Sequence, residues 1–133
     1  MSAFDELMAF QRQTEALALV AERLGWDQET VMPEGSAGQR AEEIGALESV
    51  LHARRTDPRI ADWLAAAKAP DAVGEANLRQ IRRSYRRMLK VPAKLAEEIA
   101  TTMSLAQGVW ADCRGREDVA GFLPTLRKVV DLK

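Results

Sequence analysis

Two carboxylates separated by one residue, Asp27 and Glu29, stand in the run Trp26-Asp27-Gln28-Glu29-Thr30. Acid–base chemistry with a carboxylate pair needs two environments around one substrate. Adjacency in sequence does not supply that. The same residue types suit capping of backbone amides and an ion pair with an arginine, and that structural role is the expectation. His52 is the only imidazole and Cys113 the only thiol. Peptidase zinc sites take two or three imidazoles, and thiolate sites take several cysteines, so this pair builds neither. His52 precedes Ala53-Arg54-Arg55, cations that oppose a bound metal, and is expected at the surface or at a helix end. Cys113, near Arg114 and Arg116, is expected to be a buried, inert thiol.

A third group is cationic. Arg79, Arg82, Arg83, Arg86, Arg87 and Lys90 recur at three- and four-residue spacing and share one side of a helix. Such a side can follow a phosphate backbone. The whole chain, with 19 basic and 20 acidic residues, has a net charge of −1, whereas nucleic-acid binders are usually basic overall. The expectation is a solvated face, or one paired with Glu42, Glu43, Glu97 and Glu98, and no nucleic-acid partner. Trp63 and Trp110 fall among apolar residues and are expected in the core.

The elements that carry these residues follow from composition. At 133 residues the chain suits one helical domain or fragment. Aromatics make up only 5%, and Ala, Leu, Arg and Glu outweigh β-branched types, which favours helix over sheet. No GxGxxG or GxxxxGK[ST] loop occurs. No apolar run reaches membrane-spanning length, and the opening residues Met1 to Glu6 lack a basic region followed by an apolar stretch. The expectation is a cytoplasmic protein with no membrane partner.

Periodicity predicts an all-α bundle or array of about five to six helices. Ser2 and Asp5 form a capping box for the first, with Gly25 as its stop and Trp26–Gly35 as an ordered turn in which Trp26 is largely buried. Ser36 and Gln39 form a second capping box before Ala41, Ile44, Leu47 and Leu51. Asp57-Pro58 opens a short third helix through Ile60 and Leu64. The fourth runs from about Ala72 to Lys90, the fifth from Pro92 to Gly115. The last runs from Asp118 to Lys133, with Pro124 in its first turn. It is still amphipathic at its final residue, so truncation within a helix is expected.

Several stretches resemble one family. Phe4-Asp5-Glu6-Leu7, Leu24-Gly25-Trp26-Asp27-Gln28-Glu29-Thr30-Val31-Met32-Pro33 and Gln39-Arg40-Ala41-Glu42-Glu43 look like the opening of the carboxypeptidase Taq-type thermostable metallocarboxypeptidases. Leu89-Lys90-Val91-Pro92 and Trp110 followed by Phe122-Leu123-Pro124-Thr125-Leu126 are similar in order and spacing. The resemblance implies a nearly all-helical, longer enzyme that removes C-terminal residues from peptides at a zinc or other divalent metal held by HEXXH and a downstream Glu. This sequence has no HEXXH, so it carries no catalytic or metal-ligating residue and binds no cofactor itself.

The implied role is the N-terminal wall or lid of the peptide cleft. Its partners would be the remainder of the parent enzyme and, through that, a peptide substrate, together with a second copy in a homo-oligomer such as a dimer. Trp26, Asp27, Gln28 and Glu29 are the candidate residues bracing the turn toward the cleft. The alternative is a free-standing helical interaction module whose basic helix binds an acidic partner or RNA.

Overall fold

The computed structural model describes residues 1–133 and contains six helices and no strand. They are α1 (Ala3–Thr30), α2 (Ala37–Arg55), α3 (Arg59–Ala66), α4 (Ala72–Met88), α5 (Ala93–Gly115) and α6 (Val119–Asp131). No helix is long and apolar enough to cross a membrane. The elements form an array. α3 and α2 pack on α1, α5 packs on α2, and α6 packs on α5.

α1 begins as its sequence predicts. The Asp5 amide donates to Ser2 Oγ (3.2 Å) and the Ser2 amide returns to Asp5 Oδ2 (3.2 Å), satisfying two of the donors that a helix start leaves free. It does not stop at Gly25. The helix continues to Thr30, so the first half of the expected turn is helical. A glycine inside a helix costs only about 1 kcal/mol, which contacts further along can outweigh. The chain breaks instead at Val31–Gly35, where Pro33 lies and Gly35 adopts a φ of 86°, a left-handed conformation that suits glycine.

The second capping box does not form. Ser36 has helical dihedrals (φ −87°, ψ 0°) and no side-chain cap bond, whereas capping needs an extended residue. Gln39 Nε2 donates to Glu43 Oε1 instead (3.1 Å). Asp57 does serve the start of α3: its Oδ1 accepts from the Arg59 amide (2.9 Å). Pro124 lies inside α6, beyond its first turn.

Two interiors result. Leu7, Phe10, Ile60, Leu64 and Leu78 form an aliphatic–aromatic cluster where α1, α3 and α4 meet. Trp63 tilts against Phe10 (ring centroids 5.3 Å apart) and donates from Nε1 to Glu6 (2.8 Å). The α2–α5 seam is built from small residues: Ala41, Gly45, Ala96 and Ala106 are buried. A Cβ on Gly45 would lie 2.5 Å from Thr101 Oγ1, so the two backbones approach closely only because that atom is missing.

His52 is not at the surface. It is 6% exposed, and its Nε2–H donates to the Val91 carbonyl (2.7 Å), tying α2 to the α4–α5 turn. Arg54, two residues on, does not share its direction. Arg54 turns to α1, donating to Thr14 Oγ1 (3.0 Å) and the Phe10 carbonyl (3.1 Å) and lying 4.1 Å over the Phe10 ring. Cys113 is buried. Trp110, expected in the core, is 46% exposed.

Candidate functional site

The Trp26–Glu29 run lies in the last turns of α1, where α1 meets both α2 and α5. A half-buried stripe of Leu17, Ala21 and Leu24 leads to Gln28, spaced at three and four residues, so Gln28 faces inward. Its Nε2 donates to the Ser104 carbonyl (2.7 Å), and Ser104 Oγ donates to Gln28 Oε1 (3.0 Å). One amide side chain thus closes a reciprocal pair with α5. Ser104 itself is buried, which makes an unmatched polar atom there costly.

Asp27 points to α2. Its Oδ2 accepts from Arg40 Nη2 at 2.6 Å, while Arg40 Nη1 donates to the Leu24 carbonyl (2.7 Å) and Nε to Glu43 Oε2 (3.0 Å). Arg40 therefore spends its donors on two carboxylates and a main-chain oxygen. The Asp27 carboxylate, more than Glu43, holds its guanidinium even more firmly protonated than usual.

Trp26 and Glu29 turn the other way. Trp26 is 65% exposed, which corrects the expectation that it is buried, and Glu29 is exposed as well. The four candidate residues are thus divided. Asp27 and Gln28 lock three helices together, and Trp26 and Glu29 stand on the outer face. Asp27 and Glu29 do not converge on any common point for acid–base work. The expected Arg partner of Asp27 is Arg40, which lies in the 39–43 run already singled out in the sequence. Ser104 carries no sequence signal, because its role depends on how α5 lies against α1.

A divalent metal does not fit the residues present. No group of three or more His, Cys, Asp or Glu side chains comes together. The one imidazole spends Nε2 on Val91.

The carboxypeptidase Taq (M32) metallopeptidase family profile matches residues 6–133. The chain belongs to this family. Thermostable carboxypeptidase 1 of Thermus thermophilus is 37% identical, over 98% of this chain and 27% of its own length. Thermostable carboxypeptidase 1 of Pyrococcus furiosus is 27% identical over 96% of the chain and 26% of its length. Carboxypeptidase 1 of Bacillus subtilis is 25% identical over the same shares. The BsuCP crystal structure has the same fold, with a TM-score of 0.79 at 23% identity, over 97% of this chain and 26% of that one. The chain spans about a quarter of the length of these relatives. In this chain the Asp27–Arg40 and Gln28–Ser104 pairs tie α1 to α2 and α5, and Trp26 is the exposed member of the run.

Proposed function

We propose that this chain is the N-terminal wall of the peptide cleft in a metal-dependent carboxypeptidase, and that the zinc or equivalent metal and its ligands belong to the remaining three quarters of the length seen in its relatives. The observation that carries this reading is the continuous family match over residues 6–133 without a metal-binding cluster among them. The division of the Trp26–Glu29 run supports it. Asp27 and Gln28 hold the end of α1 rigid, and rigid elements place contact residues more accurately than loops do. Trp26 then offers a broad apolar face with an N–H handle to the remainder of the enzyme or to substrate in the cleft.

A chimera tests the reading. The N-terminal quarter of the Thermus thermophilus enzyme would be replaced by this chain. The expected chimera binds metal and releases C-terminal residues from peptides, and its Trp26→Ala variant keeps metal and fold but changes KM or kcat. A chimera that folds and binds metal yet cleaves no peptide would overturn the proposal.

A further inference from the structure

The cationic side of α4 has no partner inside the molecule. Arg79, Arg82, Arg83, Arg86, Arg87 and Lys90 make no ion pair. The acids expected to neutralise them are engaged elsewhere or apart: Glu43 bonds Arg40 and Glu97 bonds Ser49 (3.0 Å). From Ala72 to Lys90 there are six cations and one carboxylate, Glu75, against thirteen cations and nineteen carboxylates in the rest of the chain. The near-zero total therefore conceals a basic helix on an acidic body. Such a face raises the local concentration of anions and speeds their encounter.

The face is more than charged. Between α3 and α4 lies a notch of about 300 Å³ lined by Ala61, Leu64, Ala65, Arg82, Tyr85 and Arg86. Leu64 belongs to the core and Tyr85 packs on it, so the floor is apolar and fixed. Arg82 and Arg86, one turn apart, form its rim. Arg82 is steered to the notch by its Nη2 contact with the Leu64 carbonyl (3.5 Å).

We propose that this face docks an acidic peptide segment carrying an apolar side chain, with the carboxylates along α4 and the apolar group in the notch between Arg82 and Arg86. The reading is independent of the carboxypeptidase assignment. Dimensions and chemistry favour a peptide over a nucleic acid. The ridge from Arg79 to Arg87 is about 12 Å long, the span of roughly four extended residues. A nucleic acid would run on past it over a net acidic molecule. Single-strand binders stack bases on exposed aromatics, and the only aromatic of α4, Tyr85, is half-buried against the core.

Fluorescence anisotropy with the intact chain tests this. The probe is a short fluorescein-labelled peptide of glutamates around one leucine. It should bind with an affinity that falls as salt rises, and about fivefold more tightly than the same peptide with serine for leucine. Arg83→Glu with Arg86→Glu, both solvent-facing, should weaken binding about tenfold or more, while Glu42→Lys on α2 should not weaken it. Ala65→Leu, which fills the notch without changing charge, should bring the leucine peptide down to the serine peptide. Thermal melts confirm that each variant folds. No binding, equal binding of the two peptides, or tighter binding of a labelled oligothymidylate than of the leucine peptide would overturn the proposal.

Discussion

Gln28 and Ser104, 76 residues apart, exchange two hydrogen bonds through the Gln28 amide: one to the Ser104 carbonyl at 2.7 Å and one from its hydroxyl at 3.0 Å. The pair fixes the end of α1 against the middle of α5, while α2 lies against both. Together with the Arg40 bonds to Asp27 and the Leu24 carbonyl, it helps offset the modest cost of carrying a helix through Gly25.

A double-mutant cycle measures that link. Gln28→Ala and Ser104→Ala should each destabilise by about 1–2 kcal/mol in urea unfolding, with a coupling of about 1 kcal/mol. Ser104→Ala leaves the Ser104 carbonyl in place, so additive losses would mean that the hydroxyl–amide bond contributes nothing. Asp27→Ala should cost about 1 kcal/mol, because its partner Arg40 is well covered while Asp27 itself is part-exposed. Trp26→Ala should stay within about 0.5 kcal/mol of the parent, which separates the inward residues of the motif from the outward one.

Two glycines should respond with opposite signs to alanine. Gly25 lies inside α1 with nothing within 4 Å of an added Cβ, so Gly25→Ala should stabilise by about 0.5–1 kcal/mol. Gly45→Ala places a Cβ 2.5 Å from Thr101 Oγ1. Overpacking costs about 1–3 kcal/mol, and the stiff β-branched threonine has little room to yield, so the net effect is a loss. Thermal midpoints of the two variants check this. A stabilised Gly45→Ala would show that α2 and α5 are not held at close approach.

Much of this architecture was legible because its punctuation is local. Asp57-Pro58 and Pro92 each act within a turn, and the helices they open start within a residue or two of expectation. What was missed depends on distant surroundings. Gly25 looked like a stop because a glycine advertises its propensity and not the bonds that α2 and α5 supply nearby. Arg54 and Arg55 suggest a surface His52, yet Arg54 lies about 200° around the helix from it and Arg55 pairs with Glu48 instead. The better signal was its spacing of seven from Gly45 and eleven from Ala41, which puts it on the buried seam. Trp26 was assigned by residue type, although the inward stripe through Leu17, Ala21 and Leu24 passes through Gln28 instead. The division of the Trp26–Glu29 run into locked and exposed members depends on the positions of α2 and α5, which no local signal carries.

Acid should weaken the α2–α3 junction in a defined direction. Hydrogen bonds from the Arg59 side chain, and then from its amide, hold the Asp57 carboxyl below the usual carboxylate range. A carboxylate depressed in the folded state contributes stability that is full above its unfolded value and disappears as pH falls through the folded one. Unfolding midpoints measured from about pH 6 down to about pH 2 should therefore fall less steeply for Asp57→Asn than for the parent. Identical acid limbs would remove Asp57 from the account.

The last prediction concerns the outer side of α6. Val119, Leu123, Leu126 and Val130 are spaced at four, three and four residues, which places them in one stripe, and they are 42–73% exposed. Another side is already used: Val129 and Leu132 line one tight crevice with Ile99 and Met103 of α5. This spacing is that of a helix-pairing seam, so the isolated chain should self-associate through it. Fully burying such a side chain contributes about 1.5–3 kcal/mol, and these are roughly half-exposed, so eight of them across a symmetric pair supply about 8 kcal/mol. Association costs about 4–15 kcal/mol in lost freedom and ordering, and the result is a weak, concentration-dependent dimer. In sedimentation velocity, Leu126→Lys with Val130→Lys should shift the population to monomer and leave the melting temperature nearly unchanged. Val129→Lys should instead lower the melting temperature, because it forces a charge into the α5–α6 contact. A parent chain that stays monomeric at high concentration would show that four exposed apolar residues at this spacing do not suffice for pairing.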